Sequence, residues 1–262
     1  MYPYDLIEGT GIDLYVVFLC LGIFAALLVF RLLADRAGLS ARLHNLCIYT
    51  AIGAIAFGYF SAVLFQAFYN IAKLGRFVIN AQTGATFYGG LIGGAASFLG
   101  IYFGVGHIRF RETREHVSRF LTVTDIAACS IAVAHALGRI GCLMAGCCHG
   151  KVTDAWYGIR MAYSGQRVVP TQLFEAIYLL LLFALLVWCF RRAKGYNLPI
   201  YMIAYGIWRF VLEYMRDDER GKTFISFLTP SQLTAVLMIL GGAAIIAVIA
   251  TLRKRGRKEH EA

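Results

Sequence analysis

The chain has 262 residues, 59% of them hydrophobic and 15% charged, and its 25 Lys and Arg outweigh 15 Asp and Glu for a net charge of +10. A mean hydropathy of +0.65 excludes an average soluble domain and points to an all-α integral membrane protein. The basic residues cluster between apolar stretches, so the charge reports membrane topology and no nucleic-acid partner is expected.

About seven apolar segments are long enough to approach the roughly 20 residues a bilayer crossing needs. The opening stretch MYPYDLIEGTGID is acidic and lacks a basic leader, so the first segment, Leu14 to Phe30, is expected to stay in the mature protein. The second runs from Leu46 to Phe65. The third, Phe87 to Val105, carries Gly89, Gly90, Gly93, Gly94 and Gly100, with small-xxx-small spacings that let helices approach closely. Gly89 and Gly90 follow Tyr88 at the segment boundary, where a backbone without Cβ can also come close to a ligand.

The fourth segment, Val123 to Met144, leads into GRIGCLMAGCCHG, residues 138–150. Its Arg139 is a permanent cation at membrane depth and needs a compensating anion, for which a lipid phosphate is the candidate. Of the seven cysteines, Cys20, Cys47, Cys129 and Cys189 lie in apolar segments and read as small core residues. Cys142, Cys147 and Cys148 form C-x4-C-C-H with His149. That spacing departs from the C-x2-C pairs of zinc sites, so no metal is expected, and a disulfide from Cys142 to Cys147 or Cys148 is the other reading.

The remaining segments are Thr171 to Phe190, Ile200 to Met215 and Leu233 to Leu252. The sixth is short and the fourth ends in glycines and cysteines, so broken or polar-lined helices are expected at those two. In the sixth, Tyr205, Arg209, Glu213 and Arg216 fall within roughly 80° of one another at 100° per residue, one polar stripe on an apolar rod. Pairing of Arg209 with Glu213 at i,i+4 explains part of it. Two guanidiniums, Arg139 and Arg209, converging on one anion would explain the rest.

Fifteen of the 25 basic residues follow the first, third, fifth and seventh segments, including Arg109, Arg111, Arg114 and Arg119 and the tail Arg253, Lys254, Arg255, Arg257 and Lys258. This places the N-terminus outside and the C-terminus in the cytoplasm, with Arg139 and Arg209 toward the outer leaflet.

Taken together, FYGGLIGG (residues 87–94), the GR-x-G-x4-G-x3-G run from Gly138, PTQLFEAIY from Pro170, YG-x2-RF-x2-E-x2-R from Tyr205 and SQLTAVLMILGG from Ser231 resemble the prolipoprotein diacylglyceryl transferases over most of the chain. The resemblance implies a single polytopic transferase domain over residues 1–262 in the bacterial plasma (inner) membrane, active toward the outer leaflet. It implies phosphatidylglycerol and a preprolipoprotein signal peptide as partners, the diacylglyceryl group passing to the thiol of the lipobox cysteine with release of glycerol 1-phosphate. No cofactor is implied. Arg139 and Arg209 match the family's essential arginines, and Gly146 and Gly150 its motif glycines. Tyr205 matches the tyrosine one turn before the second arginine, and Tyr15 aligns when Gly22 sets the register. Glu213 is expected to hold Arg209, Gln172 and Glu175 to line the same cavity, and Arg216 to complete the stripe.

Two positions depart from the family pattern: Tyr88 stands where the histidine before the GG pair stands, and Cys142 replaces an asparagine. A tyrosine, ordinarily near pKa 10, is a poor general base, which leaves His149 and His135 as replacements. The acceptor is thereby open as well: a family-fold transferase acting on another acceptor or lipid, or a non-enzymatic binder of anionic lipids, would keep both arginines. The cavity is expected to open sideways to lipid, with residues 149–169, including Trp156 and Tyr157, as its lid.

Overall fold

The computed structural model describes Leu6 and residues 13–80, 83–161, 165–192, 194–216 and 227–261. The acidic start of the chain apart from Leu6 and Asp13, Arg220 and Lys222, and the side chains of Lys73, Arg255, Arg257 and Lys258, fall outside that description. The helices in chain order are α1 (Leu14–Ala37), α2 (Ala41–Leu74), α3 (Phe87–Arg109), the single turn α4 (Glu115–Ser118), α5 (Phe120–Ala145), α6 (Thr171–Phe190), α7 (Asn197–Leu212) and α8 (Pro230–Glu261). Among the described residues six of them, α1, α2, α3, α5, α6 and α8, are long and apolar enough to cross a membrane. The protein is thus an all-α multi-pass membrane protein. Apolar side chains such as Phe24, Phe60, Leu181 and Leu240 stand more than 60% exposed, as lipid-facing residues do.

Seven apolar segments were expected and six helices reach spanning length, because α7 has 16 residues before the chain tightens into a 3-10 turn at Glu213–Met215. Of the two forms expected for the fourth segment, broken or polar-lined, the structure takes the second. Helix α5 runs unbroken to Ala145 and ends at Gly146, which takes φ +71. It is polar-lined, with Asp125, Ser130, His135 and Arg139 on it.

The chain divides into two compact units, Ala34–Val123 and Met1–Leu33 with Thr124–Ala262. In the first, α2 and α3 meet along a seam of glycine. A Cβ on Gly58 would sit 3.1 Å from the Gly90 carbonyl oxygen and 3.3 Å from the Gly94 Cα. One on Gly89 would sit 2.7 Å from the Phe65 Cβ. Helix packing thus accounts for Gly89, whereas a Cβ on Gly90 would meet its neighbours at an ordinary 3.5 and 3.6 Å. At the far end of this unit Ser40 caps α2 by accepting from the Leu43 N–H, and its own N–H and hydroxyl donate to Glu115 at 3.1 and 2.6 Å.

In the second unit α7 packs on α8 where Gly206 faces the Ala235 carbonyl and Ile239. Helix α1 packs on α5 where Gly22 faces the Ala134 carbonyl and Gly141 faces Tyr15 and Phe18. Asp125, buried at the start of α5, accepts from the backbone N–H of Gly195 and, at 2.8 Å, of Asn197. The Asn197 amide in turn donates to the Leu186 carbonyl at 2.9 Å, so one polar knot fixes the turn from α6 to α7. The segment between α5 and α6 carries a small antiparallel hairpin, β1 (Ile159–Arg160) with β2 (Arg167–Val168), which the apolar pattern does not foretell.

Candidate active site

The site residues expected from the sequence gather, within the larger unit, at the helix ends opposite the Asp125 knot. Arg139 and Cys142 close α5, Gln172 and Glu175 open α6, Tyr205 and Arg209 close α7, Ser231 opens α8 and Tyr15 opens α1. Antiparallel helices necessarily alternate in this way, so residues far apart in the chain meet at one level.

Glu175 is the hub. It is fully buried, its Oε2 lies 3.0 Å from the Arg139 Nε, and its Oε1 accepts from the Tyr205 hydroxyl at 2.7 Å. His135 Nε2 stands 3.8 Å from the same Oε1, and its Nδ1 lies 3.3 Å from the Tyr201 hydroxyl. The imidazole packs edge-on against the Tyr205 ring at 4.9 Å between centroids, and Tyr201 and Tyr205 stack on each other at 5.7 Å. Arg139 therefore has its compensating anion within the protein. The lipid phosphate expected from its burial is not required by charge balance, a correction that only the packing of α5 on α6 could make.

Arg209 is held as expected and by one group more. Its Nη2 donates to Glu213 Oε2 at 2.8 Å and to the Ser231 hydroxyl at 2.8 Å, while Glu213 Oε1 accepts from the Thr229 hydroxyl at 2.8 Å. The field of Arg209, like that of Arg139, reaches His135. Arg139, Glu175, Arg209, Glu213 and Arg216 sum to one net positive charge. Both carboxylates are spent on holding guanidiniums, which favours an anion at this level without demanding one.

Gly150 closes the loop that follows α5. It forms an isolated bridge with Arg216, its N–H donating to the Val169 carbonyl at 2.9 Å, and the Lys151 N–H donates to the Met215 carbonyl at 3.0 Å. A Cβ there would run into the Met215 carbonyl, Thr171 and Val169, so no other residue fits without moving backbone. Thr171 donates to the Cys148 carbonyl at 3.0 Å and Gln172 donates to the Cys147 carbonyl, stapling the loop to the first turn of α6. Gln172 thus holds the loop. His149 turns its Nδ1 to the carbonyl of Gly150 at 3.0 Å.

The three cysteines that looked poorly spaced converge. The Sγ atoms of Cys142, Cys147 and Cys148 lie within 4.8 Å of one another, because the chain doubles back at Gly146 and Cys148 takes φ +61. Hydrogen bonds from Cys142 and Cys147 hold the Cys148 thiol below its ordinary pKa, and the Arg216 guanidinium adds to the effect. The Cys147 thiol is pushed up by its hydrogen bonds with Cys142 and Cys148 and by burial. Tyr15 lies within electrostatic reach of all three thiols and of Arg139.

Tyr88, 40% exposed, and Gly89 and Gly90 belong to the smaller unit. In the segment expected to act as a lid, Arg167 donates to the carbonyls of Ala155, Trp156 and Gly158, Trp156 is 90% exposed, and Tyr157 packs against Phe174. Sequence reasoning missed Ser231, Thr229 and Tyr201. Tyr201 was within reach, lying one turn before Tyr205 on the same stripe.

A family model described as prolipoprotein diacylglyceryl transferase matches residues 5–248. The chain belongs to that family. A relative named phosphatidylglycerol–prolipoprotein diacylglyceryl transferase 2, from Clostridium perfringens (strain 13 / Type A), is 30% identical over 261 residues, covering 97% of this chain and 96% of the relative. Phosphatidylglycerol–prolipoprotein diacylglyceryl transferases of Clostridium tetani (strain Massachusetts / E88) and Finegoldia magna (strain ATCC 29328 / DSM 20472 / WAL 2508) are each 29% identical, covering 92% and 91% of this chain and 94% and 92% of their own lengths. In this prolipoprotein diacylglyceryl transferase three convergent thiols stand beside Arg139 and Arg216.

Proposed function

We propose that this transferase moves the diacylglyceryl group of phosphatidylglycerol to the lipobox cysteine of a preprolipoprotein, at the outer face of the bacterial plasma membrane. Residues 1–262 act as one catalytic domain, with the N-terminus outside and the C-terminus in the cytoplasm, an orientation supported by the basic residues on the opposite helix ends. One observation carries the reading: Arg139 and Arg209, on different helices, are each held at one level by a carboxylate, the buried Glu175 and the half-buried Glu213.

The thiol sulfur attacks the glyceryl carbon that bears the phosphate ester. A carbon–sulfur bond forms, the carbon–oxygen bond breaks, and its electron pair leaves on the oxygen of glycerol 1-phosphate, which also accounts for the thiol proton. Charge develops on the phosphate. Two guanidiniums fixed before the reaction stabilise that charge without reorganising, the most effective arrangement for a leaving anion. Tyr205 and Glu175 orient Arg139, and Glu213 and Ser231 orient Arg209. Arg216, Gln172 and Gly150 shape the loop over them, and Tyr15, Gly146 and His135 line the remaining wall. His149 is a candidate to receive the thiol proton.

The test is release of glycerol phosphate by the full-length protein from phosphatidylglycerol vesicles, with and without a lipobox peptide. Arg139→Lys and Arg209→Lys, which keep the charge but lose the planar fork, serve as variants alongside thermal stability in the same lipid. Peptide-dependent release that falls about 100-fold or more in both folded variants is expected. Release indifferent to the peptide would assign another acceptor, and lipid binding without release would assign a binding protein.

A further inference from the structure

The thiol trio is built with more care than three packing residues need. Cys147 and Cys148 sit on a loop pinned at two carbonyls by Thr171 and Gln172 and at Gly150 by the bridge to Arg216. Cys148 holds a left-handed backbone, which a residue with a Cβ adopts at a cost. What this conformation achieves is convergence: three Sγ atoms within 4.8 Å of one another, drawn from the last turn of α5 and from the loop after it. A tetrahedral zinc with Zn–S bonds of about 2.3 Å spaces its sulfurs about 3.8 Å apart, so the trio would have to tighten by about 1 Å. Side-chain rotation supplies that.

The donor set selects the cation. Three thiolates suit a thiophilic d10 ion and disfavour magnesium or calcium. Their negative charge is matched on two sides, Arg139 lying one turn before Cys142 on α5 and Arg216 bonding Cys148. His149 does not complete the set, since its Nδ1 pairs with the Gly150 carbonyl and only the three cysteines converge among the described residues. A zinc held by three protein ligands keeps a fourth position open, the pattern of a catalytic site.

We propose that Cys142, Cys147 and Cys148 bind one Zn2+ whose open position takes the acceptor's cysteine thiol and activates it for transfer. This rests on the acceptor being a thiol, as proposed above. On coordination the acceptor R–SH loses its proton to water and forms a Zn–S bond, because a metal-bound thiol is deprotonated outright. The bound sulfur then attacks the glyceryl carbon, the carbon–oxygen bond breaks toward the phosphate, and the thioether, a weak ligand, leaves the zinc. No redox change occurs. The site supplies an activated nucleophile in a chain where Tyr88 stands at the family's histidine position, and it does so one helical turn from Arg139.

The experiment uses the full-length protein in phosphatidylglycerol nanodiscs, purified under reducing conditions and titrated with Cd2+ as a spectroscopic stand-in for Zn2+. One equivalent is expected to raise a thiolate-to-cadmium charge-transfer band that is lost in Cys142→Ser, Cys147→Ser and Cys148→Ser. A lipobox peptide, and not its Cys→Ser form, should enlarge the band by about a third as a fourth sulfur joins three. Chelation of the unmodified protein should lower peptide-dependent glycerol phosphate release about 100-fold and Zn2+ should restore it, a readout that needs no mutant to fold. Absence of a cysteine-dependent band overturns the site, as does an active enzyme whose three cysteines prove to be oxidised. A band that ignores the peptide, or activity indifferent to chelation, overturns thiol activation. Absence of peptide-dependent release even with Zn2+ overturns the transferase reading and leaves the cadmium titration to judge the site by itself.

Discussion

Glu175→Gln separates a carboxylate that positions Arg139 from one that merely fills space. The substitution keeps the size of the side chain and one hydrogen-bond acceptor for the Tyr205 hydroxyl, and removes the charge that faces the Arg139 Nε at 3.0 Å. Breaking a buried ion pair from one side costs about 3–5 kcal/mol because the surviving charge stays desolvated. The lower end applies, since the Arg139 side chain retains 17% exposure and can recruit water. About 3 kcal/mol corresponds to roughly 100-fold in an equilibrium, divided between a lower melting temperature and a displaced guanidinium. Tyr205→Phe removes a single hydrogen bond to a charged acceptor, about 1.5–3 kcal/mol, and should cost less than Glu175→Gln in the same assay. Peptide-dependent release and thermal unfolding, measured together in one lipid, check this ordering, and Glu175→Asp should recover part of the activity because it restores the charge. A Glu175→Gln enzyme within about threefold of wild type would refute the positioning role, as would a Tyr205→Phe enzyme that loses more.

Gly150→Ala should destabilise the loop by about 3 kcal/mol or more, the upper range for overpacking, because the new Cβ meets a carbonyl and two β-branched or branched side chains at once. Thiol alkylation of Cys147 and Cys148 should accelerate as their loop loosens, and unchanged alkylation rates would count against the staple. His116, 3% exposed and packed under Gly106, is held below its ordinary pKa by burial, with His107 and Arg114 adding to the effect. A depressed histidine leaves the folded state binding fewer protons than the unfolded one. Stability is therefore full above about pH 6.5 and falls as pH drops through the window down to the lowered value. Thermal unfolding across pH 5 to 8 should show this slope, and His116→Gln should flatten it.

Much of the architecture could be read from apolar runs alone. The fifth segment, Thr171 to Phe190, coincides with α6, and the third begins with α3 at Phe87. Arg139 and Arg209 stood out because a guanidinium inside an apolar run is costly wherever it sits. Their partners were less visible. Glu213 could be found, since i,i+4 is a property of one helix, but the bond from Glu175 to Arg139 joins two helices and depends on which faces meet. The same limit hid the thiol trio: ligand spacing assumes a particular local turn, and here Gly146 and Cys148 supply a different one through their positive φ. Asp125 could have been flagged as a carboxylate inside an apolar segment, yet the donors it accepts from, the N–H groups of Gly195 and Asn197, lie some seventy residues on.

The glycine seam between α2 and α3 has a consequence for how such a chain can change over time. Where Gly58 meets Gly90 and Gly94 the contact is backbone on backbone, with no rotamers to readjust and no methyl group to trim in exchange for one added opposite. Residues facing the lipid can drift through many apolar alternatives at little cost. At Gly58 and Gly89 the seam admits no such neutral path, so these two glycines would persist in any lineage that keeps these helices together, whether or not anything ever binds there.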